Sequence, residues 1–209
     1  LIKIKTFVSG ILSNNTYLIF NDRSIDKKEG VIIDPTGCFA SARQYIIENN
    51  IELKAVMLTH GHFDHVIDVP KWQRLGIRVF AHKQELFNLN SDRTILMLKS
   101  LNLPPITIDE ELSEKNYVFE GIPIDVLHTP GHTKGSCCFV VGNNVFSGDT
   151  LFFNSFGRTD FPDGDFNQMK CSLKKLFTFS EQDYNVFPGH EDFSSLNYER
   201  THNPILMYF

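Results

Sequence analysis

Apolar residues in this chain gather in short runs. Runs of strand length occur at residues 17–20, 31–33, 55–58, 77–80, 122–127, 138–141, 145–146 and 184–187, and each fits a buried strand. Residues 1–5 alternate apolar and basic, as a strand does. Helical spacing shows in three stretches. Residues 38–49 carry Ala42, Tyr45 and Ile46; residues 68–75 hold Pro70 where a first helical turn tolerates it; residues 166–179 carry Met169, Leu173, Leu176 and Phe177 behind Asp165 as a cap. Early strands come as a meander and helices come later in each half, which predicts sheets with helices packed outside them. Residues 82–115 differ. Leu86, Leu89 and residues 95–101 have helical character until Pro104 and Pro105 stop it, which predicts a lid or a packing helix beside the site.

At 209 residues the chain is expected to form one domain over 1–209. A formal net charge of −5 and the lack of a Lys/Arg-rich block predict no nucleic-acid partner. No apolar run approaches the roughly 18 residues of a membrane span, so no membrane association is expected. The strand-like opening is unlike a signal peptide, and the expected location is cytoplasmic. Cys38, Cys137, Cys138 and Cys171 have no C-x-x-C pairing and are expected to be reduced, buried, apolar-like side chains.

The chemistry concentrates in Thr59-His60-Gly61-His62-Phe63-Asp64-His65, directly after the run at 55–58. Three imidazoles and a carboxylate in so few residues form a dense set of nitrogen and oxygen donors for a metal. The same arrangement recurs. Residues 124–127 lead into His128-Thr129-Pro130-Gly131-His132, residues 145–147 into Gly148-Asp149, and residues 184–187 into Pro188-Gly189-His190. Each presents a donor at a strand end with a glycine beside it. A lone His or Asp of this kind is usually a surface or supporting residue; four matching strand ends point instead to one metal centre.

This ordered pattern, H-x-H-x-D-H followed by His, Asp and His, resembles that of the metallo-β-lactamase superfamily. The resemblance implies an α/β (α+β) fold of the αββα sandwich type, with two mixed sheets, helices on the outer faces and metals at one edge. It also implies two divalent metal ions, zinc by default with iron or manganese as alternatives. His60, His62 and His132 would hold the first, Asp64, His65 and His190 the second, and Asp149 would lie between them. Asp64 and Asp149 are the candidate catalytic carboxylates, with Asp64 read as a ligand before a proton shuttle. Thr129-Pro130-Gly131-His132-Thr133, Gly148-Asp149-Thr150 and Gly157-Arg158-Thr159-Asp160-Phe161 are similar to the glyoxalase II-like (hydroxyacylglutathione hydrolase-like) branch, and the expected form is one lacking that branch's C-terminal helical domain.

The function this implies is hydrolysis of a small-molecule thioester or ester, such as S-lactoylglutathione, by attack of a metal-bound hydroxide. Arg158 is the candidate substrate-binding cation, through its bidentate fit to a carboxylate. A buried ion pair with Asp160 or Asp163 is the competing reading for it. His82, His128 and His202 are read as structural, with His128 the most able of them to orient a ligand. Two other activities stand beside the first. A mononuclear-iron persulfide dioxygenase shares the 157–161 loop, but resembles Pro-Ala-His-Asp where this chain has Pro188-Gly189-His190-Glu191. A lactone or other ester hydrolase would keep the metals and change the substrate.

Overall fold

The computed structural model describes residues 1–10, 12–22, 28–119 and 121–209. Its first sheet runs in space as it does in sequence: β1 (Ile2–Ser9), β2 (Asn14–Asn21), β3 (Lys28–Ile33), β4 (Ile51–Met57), β5 (Arg78–His82) and β6 (Glu110–Leu112). The first three strands are an antiparallel meander, and the last three add in parallel. The second sheet begins with β7 (Asn116–Phe119), β8 (Ile122–His128), β9 (Cys137–Val141) and β10 (Asn144–Gly148). A small hairpin, β11 (Leu151–Phe152) and β12 (Ser155–Phe156), follows. The chain then returns through β13 (Asn185–Pro188), parallel to β10, and β14 (Ser194–Ser195). The helices are α1 (Phe39–Glu48), α2 (Phe63–Val66), α3 (Val69–Gln73), α4 (Leu86–Leu89), α5 (Asp92–Ser100), α6 (Phe166–Thr178) and α7 (Leu196–His202).

Side chains on a strand alternate between its faces, and here both faces are covered. Tyr17, Ile19, Val31, Ile33, Ala55 and Met57 point between the sheets, where they meet Ile122, Ile124, Val126, Phe139 and Phe146. Leu18, Phe20, Ile32, Val56 and Leu58 point outward, onto Ala42 and Ile46 of α1 and Val69 and Trp72 of α3. On the far side, Cys138, Val140, Val145 and Val186 pack against Met169, Leu173, Leu176 and Phe177 of α6. The expected αββα sandwich is therefore present. Burial on both faces explains why these strands read as apolar runs. Removing a side chain such as fully buried Leu173 would cost about 2–5 kcal/mol.

Local signals account for much of the helix placement. Asp165 caps α6 by accepting hydrogen bonds from the backbone N–H groups of Asn167 and Gln168, and Ser91 caps α5 by accepting from Thr94. Asp68 precedes α3, yet its buried carboxylate accepts from the N–H groups of Cys38 and Phe39 at the start of α1. The segment read as a lid or packing helix holds α4 and α5, and it serves both purposes. Leu89 and Leu98 enter the core, while Phe87, Asn88 and Arg93 line a cleft over the strand ends. No helix among the described residues is long and apolar enough to cross a membrane.

One expectation about the cysteines needs correction. All four are free and Cys38, Cys137 and Cys138 are buried, but Cys171 is exposed, because it falls on the polar face of α6.

Candidate metal centre

Four chain segments converge where the two sheets meet at one edge. β4 delivers Thr59 to His65, with His62 extended at φ −65°, ψ 145° and Asp64 and His65 on the single turn of α2. β8 leads into the loop carrying His132, β10 into Asp149 and β13 into His190. Backbone bonds tie these ends together across the sheets. The N–H of Cys137 donates to the carbonyl of Thr59 at 2.8 Å, that of Asn15 to Gly189 at 2.8 Å, and that of Gly189 to Gly148 at 2.8 Å. Gly148 has φ +49°, and a side chain there would strike Thr59, so glycine lets β10 and β4 approach this closely.

The seven candidate ligands come together in two groups around one carboxylate. Ligand atoms of His60, His62 and His132 lie within 4.8 Å of one another, as do those of Asp64, His65 and His190. The Nδ1 of His62 is 2.8 Å from the Nε2 of His132, and the Nε2 atoms of His65 and His190 are 3.1 Å apart. Asp149 sits between the groups. Its Oδ2 is 3.5 Å from the Nε2 of His132 and 3.5 Å from that of His190, and its Oδ1 is 3.4 Å from the Nε2 of His65.

Hydrogen bonds on the outer side of the rings set which nitrogen faces inward. The Nδ1 of His132 donates to the carbonyl of Arg158 at 2.8 Å and that of His190 to the carbonyl of Leu12 at 2.9 Å. His65 turns its Nδ1 to Asp34, 3.2 Å away. Thr59 donates its hydroxyl to the same carboxylate, leaving its oxygen to accept from the Nδ1 of His60 at 3.1 Å. Each arrangement turns an Nε2 toward the centre, where release of any proton on it leaves a lone pair for a metal.

Burial and the facing rings shape the charges. His60 is held well below the usual imidazole pKa by burial and by neighbouring His65, and His62 is pushed to about 3 by burial and by His132. Both rings are neutral near pH 7, the form that can donate a lone pair to a metal. For His65 burial also favours the neutral ring, but Asp149 and Asp34 outweigh it and lift the group to about 10. For Asp149 burial favours the acid, yet His65 and the bond from His190 hold the carboxyl well below its ordinary range. Two atoms in this region, the Nε2 of His60 and the Oδ1 of Asp149, are buried without a hydrogen-bond partner among the described residues.

Sequence reasoning missed three residues that build this site. Asp34 is buried at the end of β3 and takes bonds from both the N–H and the hydroxyl of Thr59 as well as facing His65. The signal was available, because residues 31–33 lead into Asp34-Pro35 just as the other runs lead into their donors. Asn14 donates to Asp64 at 3.3 Å and lies 3.4 Å from the Nε2 of His190. Glu85 is buried and accepts from the N–H of Gly61 at 2.6 Å and the hydroxyl of Thr133 at 2.6 Å, clamping the loops of His62 and His132 together. Nothing local in sequence marks Glu85.

Other expectations change in detail. Arg158 forms the expected ion pair, but with Asp160 and in solvent; its Nε and a terminal nitrogen reach the two carboxylate oxygens at 2.7 and 2.6 Å. Asp163 serves Asn88 and Lys134 instead. His128 contributes to a surface pair, stacked on His82 with ring centroids 4.3 Å apart, and its Nε2 donates to the carbonyl of Lys134. His202 stacks on Tyr198.

A cleft of about 850 Å³ opens over the centre, floored by His62, Asp64, His132, Asp149 and His190 and walled by phenylalanines. Comparison with known proteins agrees with the geometry. The family model described as the metallo-β-lactamase superfamily matches residues 9–190. The hydroxyacylglutathione hydrolase GloC of Haemophilus influenzae is 30% identical over 192 residues, covering 87% of this chain and 89% of that protein. Among solved structures, the B3 metallo-β-lactamase BLEG-1 superposes with a TM-score of 0.84 at 30% identity, over 98% of this chain and 99% of that one. TTHA1623, solved in a di-iron-bound form, gives 0.80 at 31% identity over 96% and 98%. The chain belongs to the metallo-β-lactamase superfamily.

Proposed function

We propose that this chain is a metal-dependent hydrolase with a dinuclear centre, cleaving a small thioester such as S-lactoylglutathione. The observation that carries the reading is the placement of Asp149, whose two oxygens lie 3.4–3.5 Å from the Nε2 atoms of His65, His132 and His190. The residues fit cations. Buried polar atoms without partners are rare, and two of those among the described residues, on His60 and Asp149, belong to the proposed donor set. His60, His62 and His132 would hold one ion, Asp64, His65 and His190 the other, and Asp149 both. Mixed imidazole and carboxylate donors accept zinc, iron or manganese, with zinc proposed first.

When bound, such ions supply Lewis acidity toward a carbonyl and lower the pKa of water toward neutrality. The chain's own residues do the rest. Asp34 and the carbonyls of Leu12 and Arg158 fix the ring orientations of His65, His190 and His132, and Asn14 holds Asp64. Phe161 lies against His62 with ring centroids 5.3 Å apart, and Phe152 lies 6.1 Å from His190, narrowing the approach of solvent from two sides. Arg158 lines the cleft as a candidate substrate contact, its charge offset by the ion pair with Asp160.

Similarity to a hydroxyacylglutathione hydrolase supports the thioester, and similarity to a di-iron-bound structure supports two ions. The group of Asp64, His65 and His190 also weighs against a single iron, since it offers a second complete set of donors beside the first. The test is metal content per chain on protein purified without added metal, run beside hydrolysis of S-lactoylglutathione and oxygen uptake with glutathione persulfide. About two ions with thioester turnover is the expected result. One iron with oxygen uptake would replace the hydrolase by the dioxygenase; two ions without thioester turnover would move the search to lactones and other esters.

A further inference from the structure

Two guanidinium groups line the cleft over the metal centre, Arg93 and Arg158, and each lies on an aromatic ring. Their charges are not equivalent. Arg158 is held by both oxygens of Asp160, so that the pair is close to neutral as a unit. Arg93, in the first turn of α5, forms no ion pair among the described residues. Its guanidinium carbon sits 3.9 Å from the ring centre of Phe63, the residue between His62 and Asp64 in the ligand loop. Carboxylates nearby are engaged elsewhere: Asp163 takes bonds from Asn88 and Lys134, and Asp64 from Asn14.

An arginine stacked on a ring face has its plane fixed while its N–H edges stay free, an arrangement suited to a planar carboxylate. The ring that holds it belongs to the ligand loop, so the guanidinium carried by α5 rests against the segment that bears the metal donors. Arg93 is itself exposed, so its selectivity for a carboxylate would come from the two-pronged fit of the held guanidinium rather than from burial.

We propose that Arg93 anchors a carboxylate on the thiol carrier of the substrate, making the enzyme selective for thioesters of acidic thiols. The proposal deepens the hydrolase reading and rests on it for the reaction, though binding can be tested apart from turnover. The probes are 3-mercaptopropionate and its methyl ester, titrated calorimetrically into metal-loaded protein. Wild type is expected to bind the acid about tenfold more tightly than the ester, and Arg93→Gln to narrow that ratio below about threefold with the ester's affinity unchanged. Arg93→Lys keeps the charge without the fork and should fall between them. Equal affinities in wild type, or an undiminished ratio in Arg93→Gln, would overturn the anchor. If Arg93→Gln loses the ester as well through misfolding, a ratio in Arg93→Lys equal to wild type would overturn it and a reduced ratio would uphold it. An acid preference without thioester turnover would sink the thioester as substrate and leave the carboxylate anchor; turnover without the preference would sink the anchor alone.

Discussion

The Nδ1 of His65 lies 3.2 Å from the Oδ2 of Asp34, and that same carboxylate accepts both the N–H and the hydroxyl of Thr59. Asp34 thereby orients two adjacent parts of the ligand loop from beneath, His65 directly and His60 through Thr59.

A supporting carboxylate of this kind typically contributes 10–100-fold to metal affinity. Asp34→Asn is expected to weaken metal retention by about that factor, measured by competition with a chelator, while circular dichroism of the folded protein stays unchanged. Retention equal to wild type would mean that Thr59 and the backbone position His65 without help.

Asp149 has no such substitute. Its carboxylate lies within 3.5 Å of donors from both sets, so Asp149→Ala should lower thioester turnover by about a hundredfold or more. Steady-state kinetics with metal analysis on the same sample checks this. Near wild-type turnover with unchanged metal content would remove Asp149 from the reaction.

Legibility in the sequence followed burial and chain locality. Strands such as β2 and β10, covered on both faces, announced themselves as apolar runs, and α6 announced itself through Leu173, Leu176 and the Asp165 cap. Strands β6, β7 and β14 did not, because they are short or lie at sheet edges and expose much of their surface, as Glu110, Glu111 and Val118 do. In the site, donors at strand ends were readable because each is local to its run. Glu85 was not, since its partners Gly61 and Thr133 are brought to it only by the packing of the two sheets and α4. Arg93 was missed for a similar reason: its place over Phe63 depends on how α5 lies across α2.

Glu85 also predicts a pH dependence. Burial lifts its carboxyl from the ordinary 4.5 to about 7, despite the bonds it accepts from Thr133, Asn88 and Gly61. Between those values the folded protein keeps a proton that the unfolded chain has released. The contribution of this residue to stability is therefore complete below about 4.5 and is lost as pH rises toward about 7, by an amount on the order of 3 kcal/mol. Urea unfolding of metal-free protein across this range should show wild type losing ground to Glu85→Gln as pH increases. Parallel stability curves would show that Glu85 ionises as freely in the folded protein as in the unfolded chain.

Gly189 offers the sharpest test of the two-ion centre. Its backbone is not in the left-handed region, so alanine is conformationally permitted there and any effect must be steric. An added Cβ would fall onto the Oδ1 of Asp149 and lie 2.7 Å from the Cε1 of His65. Retreat is blocked, because the N–H of Gly189 is bonded to Gly148 and its carbonyl to Asn15, each at 2.8 Å. The carboxylate of Asp149 and the ring of His65 must therefore move, and both belong to the second donor set or its bridge. Gly189→Ala is expected to drop metal content from about two ions per chain toward one and to lower thioester turnover with it. Retention of two ions and full turnover would show that the centre can shift without loss, and that the close approach of Gly189 does not decide how many ions it holds.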